Sequence, residues 1–82
     1  MTQKRKHRLN RIIRKEYQHF DTMLIGKANS DRIITQLFNL LLVKIEYLYF
    51  NSFIDDEEKI FMKTCNINYL FYYHRLIAKI YD

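Results

Sequence analysis

Eighty-two residues without a proline and with one glycine, Gly26, leave this chain few ways to turn. Sheets of short strands need many tight turns, and turns draw on glycine and proline for the backbone angles other residues resist. The apolar residues also recur at steps of three and four, the rhythm of a helix with one buried face. An all-α protein built from a few long helices is therefore expected, as a single helical domain over residues 1–82.

Residues 3–25 read as the first helix. Leu9, Ile13, Tyr17, Phe20 and Leu24 follow one another at steps of four, four, three and four, with Ile12 and Met23 widening the stripe. Gly26 suits the left-handed position that closes a helix. A short loop follows, in which Asn29 or Ser30 would cap a second helix over 31–53. Ile34, Leu37, Leu41, Ile45 and Leu48 form one face of it, extended by Phe38, Leu42, Tyr49 and Phe53. Its polar strip is narrow, which suits a central helix or one covered by a partner.

The run Asp55-Asp56-Glu57-Glu58 separates the second helix from the third. Asp55 with Glu58 three residues later has the form of a capping box, and acids favour the positive end of a helix dipole. Phe61, Cys65, Tyr69, Tyr72, Leu76 and Ile80 then keep helical spacing, predicting one helix over 56–80. Weak helix formers at 64–68 allow a kink there. Short loops between long helices imply an antiparallel three-helix bundle.

The charge is distributed unevenly. Seven of the first fifteen residues are Lys or Arg and none is acidic, whereas residues 16–82 carry seven basic and nine acidic side chains. All of the net +5 thus comes from the start of helix one. Cations at a helix N-terminus oppose its dipole by a few tenths of a kcal/mol each, so the arrangement implies an anionic partner. The first two turns hold little apolar surface, and residues 1–8 are expected to form a mobile basic arm. Lys4, Arg5, Lys6, Arg8, Arg11, Arg14 and Lys15 are the candidates for contacts to DNA or RNA phosphates, with Asn10 the candidate for reading a base edge. The bland alternatives are a solvated face that keeps the protein soluble and pairing of the arm with Asp55–Glu58, within or between chains.

Catalytic chemistry lacks its usual signatures. The chain has no glycine-rich phosphate loop, nucleophile elbow or HExxH, and His7, His19, His74 and Cys65 show no metal-ligand spacing. Consecutive acids without a glycine do not make a calcium loop. No enzyme activity, cofactor or small-molecule substrate is expected. Cys65 reads as a small buried hydrophobe of a reducing compartment. The start has no signal-peptide pattern, and the apolar run 37–50 falls short of the ~20 residues that span a bilayer. These features suggest a cytoplasmic protein.

The aromatic run Tyr69-Leu70-Phe71-Tyr72-Tyr73-His74 covers nearly every side of helix three. Tyr69 and Tyr72 are assigned to the core, and Phe71 and Tyr73 to a surface that anchors a second copy or a protein partner. The sequence thus favours a non-enzymatic nucleic-acid-binding or regulatory protein. The alternative is an inhibitor or immunity-type module acting through an exposed aromatic and apolar face. A membrane surface is disfavoured, because helix one has no Trp and its apolar residues are wanted by the bundle.

Overall fold

With no proline to interrupt it, the chain runs in long helices, and the computed structural model, which describes residues 1–23 and 25–81, is all-α. α1 spans Gln3–Gln18, α2 spans Lys27–Phe50 and α3 spans Asp56–Tyr81, with a short 3-10 turn at His19–Thr22 between the first two. α1 and α3 run in the same direction: Arg5 meets Glu58, and Tyr17 meets Asn66. α2 runs against both, since Asp31 lies beside His74 and Tyr49 beside Asp56. Consecutive helices are therefore antiparallel, as the spacing predicts. The bundle measures 41 × 23 × 17 Å, so it is a flat rod rather than a ball.

Each helix boundary has a local cause. Thr2 caps α1 by accepting a hydrogen bond from the Arg5 amide at 3.2 Å. α1 ends seven residues earlier than expected, where the Thr22 hydroxyl donates to the His19 carbonyl at 3.1 Å and the backbone tightens into the 3-10 turn. Such side-chain bonds compete with the α-helical ladder. The turn carries Phe20 into the core. Leu24, expected on the same stripe, lies outside the described residues.

Gly26 does not close α1. Its backbone is extended, with φ 167° and ψ 154°, and it occupies the N-cap of α2. Its carbonyl accepts the Ser30 amide at 2.8 Å, so α2 starts at Lys27 and places Asn29 and Ser30 inside its first turns. At the other end the chain stops without glycine. Ser52 takes the left-handed conformation at φ 62°. Its amide donates to Tyr49 O and the Phe53 amide to Leu48 O, at 3.0 and 2.9 Å. These two bonds are the Schellman closure that satisfies the last carbonyls of a helix.

Asp55 and Glu58 form the expected capping box. The Glu58 amide donates to Asp55 Oδ1 at 2.8 Å, and the Asp55 amide donates to Glu58 Oε1 at 3.0 Å. α3 then runs unbroken through 64–68 despite the weak helix formers there. Asn66 is held sideways rather than breaking the helix: its amide nitrogen donates to Phe38 O of α2 at 3.1 Å, and its Oδ1 accepts the Tyr17 hydroxyl at 2.6 Å.

Leu9, Ile13, Tyr17 and Phe20 meet Ile34, Leu41 and Ile45 of α2 and Met62, Tyr73 and Ile77 of α3 in one core. The buried face of α3 is turned by about one position from the expected stripe. Tyr73, assigned to a partner surface, is only 5 % exposed, whereas Tyr72, assigned to the core, is 53 % exposed. The reason lies in the neighbours of α3. It packs against α1 and α2 together, so its inward direction bisects the two, and Asn66 occupies a core position that apolar counting passes over. Tyr73 stacks on Tyr17 with ring centres 5.6 Å apart and meets Phe20 edge-on at 5.4 Å.

Candidate nucleic-acid interface

The site is the outer side of α1. Leu9, Ile13 and Tyr17 fix which side of α1 faces the core, and at about 100° per residue the opposite side collects Lys4, Arg8, Arg11 and Lys15. All four are exposed, as is Arg14 beside them. Among the described residues none of these five makes an ion pair. Over the 11 residue steps from Lys4 to Lys15 the row is about 16 Å long. It is a rigid row because the other side of the same helix is held in the core.

Two expected members of the set are directed elsewhere. The Arg5 guanidinium turns toward the α2–α3 corner, where Nε donates to Glu58 Oε2 and Nη2 to Phe53 O at 3.5 Å. Its charge is thus compensated within the fold rather than offered to a phosphate. Asn10 faces α3, and its Oδ1 accepts the Tyr69 hydroxyl at 3.1 Å. That bond removes its acceptor from base reading and leaves its amide donors. Lys6 is half-buried on the same flank and makes no ion pair among the described residues.

The first turns of α1 have anchors that the apolar pattern does not reveal. Besides Arg5 and Glu58, the Met1 ammonium lies 3.3 Å from Glu57 Oε1. The acids at the start of α3 therefore cap their own helix and draw in the start of α1. Glu58 joins both roles. The Arg5 donor, followed by the Asp55 amide, holds its carboxyl below the ordinary glutamate range. A carboxyl lowered on folding adds stability above that ordinary range and loses it as the pH falls through the lowered value. Arg5→Gln should therefore raise the pH of acid unfolding, at a cost of about 1–2 kcal/mol near neutrality. Acid titration followed by circular dichroism would show this; coincident curves for the variant and the parent protein would exclude it.

Elsewhere several polar groups pair in structural ways. Glu46 sits between Lys59 and Lys63, at 3.3 and 2.6 Å, and its carboxyl is held low chiefly by Lys63. Burial pushes the Tyr17 and Tyr73 phenols up, so neither is ionised near neutral pH. Cys65 is buried and its thiol is also pushed up by burial, the reverse of a reactive thiolate. Among the described residues no group of His, Cys, Asp and Glu could hold a metal ion.

Of the expected partner surface, Phe71 is exposed, with Ile60 and Ile67 along the same side of α3, and Tyr73 is withdrawn into the core. A second exposed apolar surface lies on α2, at Leu40, Val43, Tyr47 and Phe50. α2 is also, contrary to the length argument from residues 37–50, long and apolar enough to cross a membrane by length and composition. Its core face here is packed against α1 and α3. No known protein family, curated protein or solved structure matches the chain.

Proposed function

We infer that the protein is a non-enzymatic nucleic-acid-binding protein that lays the outer side of α1 along a phosphate backbone. One observation carries this reading. Lys4, Arg8, Arg11, Arg14 and Lys15 share one side of a helix anchored in the core, exposed and without ion pairs among the described residues. Unpaired cations in a row repel one another, Lys4 opposes the helix dipole, and only Lys15, in the last turn, is favoured by it, so the fold gains little from their spacing. A polyanion gains from it through counterion release, and duplex DNA presents one charge per about 1.7 Å of axis. With Asn10 bonded to Tyr69, the set favours backbone contact over sequence reading.

The test is binding of labelled duplex and single-stranded DNA and RNA as salt is varied. Affinity should fall linearly on a log–log plot with a slope of about −3 to −5, the value for four or five phosphate contacts. No binding to any of them at about 50 mM salt, where such contacts are strong, would refute the reading. A second reading, a protein-binding module, is favoured by exposed Phe71 with Ile60 and Ile67. It predicts a partner whose capture is lost on Phe71→Asp and retained when the α1 cations are neutralised.

A further inference from the structure

α2 carries a second seam beside the one it buries. Ile33, Gln36, Leu40, Val43, Tyr47 and Phe50 follow at steps of three, four, three, four and three. That alternation is the spacing by which one helix packs knobs into the holes of another. Ile33 is half-buried at the α1 edge, and Leu40, Val43, Tyr47 and Phe50 are between 62 and 79 % exposed. None of the six is charged. Neither α1 nor α3 covers Leu40, Val43, Tyr47 and Phe50, which face away from the core residues Ile34, Leu41 and Ile45.

We propose that the seam is where a second copy of this chain docks, through its own α2, in an antiparallel two-fold pair. The sequence of the seam is complementary to itself in that direction. A two-fold axis between Leu40 and Val43 sets Leu40 against Val43, Ile33 against Phe50 and Gln36 against Tyr47. Apolar side chains then meet apolar ones, and the Gln36 carboxamide meets a phenol hydroxyl, both groups able to donate and accept. Lipid would leave that amide without a partner. The charges agree as well. The cationic side of α1 is not part of the seam, and antiparallel pairing sends the two basic helix starts to opposite ends of the dimer. The α2 dipoles also oppose each other. The exposed seam offers on the order of 600 Å² per copy, or ~1,200 Å² in all, at the lower edge of stable interfaces.

This pairing does not depend on the nucleic-acid reading, and it is measured without nucleic acid. Light scattering or sedimentation over about 1 to 200 μM, the range of a small interface, should show the mass of two chains falling to one on dilution. Val43→Glu should give one chain throughout with unchanged helical content. Tyr47→Lys repeats the test at another position of the seam should Val43→Glu fail to fold. Ile60→Glu, on the exposed side of α3, should leave the pair intact. A single-chain mass for the parent protein at 200 μM (on the order of the weakest pairing considered) would overturn the proposal. So would dissociation by Ile60→Glu but not Val43→Glu. A monomer that sediments with anionic vesicles through Val43 would assign the seam to lipid and overturn it equally.

Discussion

Tyr17→Ala is expected to remove a large fraction of the protein's folding stability. Tyr17 is fully buried, stacks on Tyr69 and Tyr73 at 5.3 and 5.6 Å, and donates its hydroxyl to Asn66 Oδ1 at 2.6 Å. Removing a buried aromatic ring costs about 3–5 kcal/mol. A domain of this length has roughly 4–12 kcal/mol in total. The position also joins α1 to α3, so the cavity would open between helices rather than within one. Tyr17→Phe separates the two contributions. It keeps the stacked ring and leaves Asn66 Oδ1 in the core without its donor, a loss of about 1–3 kcal/mol. Thermal melting of both variants measures this. Tyr17→Phe should melt below the parent protein and well above Tyr17→Ala. Equal melting of Tyr17→Phe and the parent would mean that the hydroxyl bond adds nothing to the fold.

The same residues show what a sequence can and cannot carry. Leu9, Ile13, Tyr17 and Phe20 are legible because one face of α1 is buried and the rest is polar, so periodicity alone marks the core. The capping box of Asp55 and Glu58 is legible because capping is local: both partners lie within one turn. α3 is harder. It has apolar side chains on nearly every side, so periodicity offers several faces, and its neighbours choose among them. The choice falls on Met62, Tyr73 and Ile77, with Asn66 buried as a polar member whose partners, Tyr17 and Phe38, are distant in sequence. Ser52 closes α2 in a conformation that glycine would have announced.

The basic side of α1 was legible in outline for the same reason as its core. Seven cations within fifteen residues identify the helix start, and helical spacing identifies Lys4, Arg8, Arg11 and Lys15 as one row. The division of labour within the set was not. Arg5 is claimed by Glu58 and the Phe53 carbonyl, and Asn10 by Tyr69, across more than forty residues of chain. No local pattern encodes such pairings, because they follow from how α1 lies against α3.

That division makes the strongest functional prediction a contrast between neighbours. Arg8→Gln, Arg11→Gln and Lys15→Gln together should lower the salt slope of nucleic-acid binding by about 2–3 and weaken binding by roughly a hundredfold or more at moderate salt. All three side chains are exposed and among the described residues make no ion pair, so the melting temperature should stay within a few degrees of the parent protein, in line with surface substitutions worth about ±0.5 kcal/mol each. Arg5→Gln should do the opposite. Its guanidinium holds the α2–α3 corner, so stability should fall while the salt slope stays close to that of the parent. Fluorescence anisotropy across a salt series, with melting curves for both variants, decides between fold and ligand for each cation. If Arg5→Gln lowers the slope by a full contact, its bond to Glu58 opens on binding and the arm rearranges to meet the polyanion. If the triple variant keeps the parent slope, the row on α1 is a solvated surface and the polyanion contact is not made there.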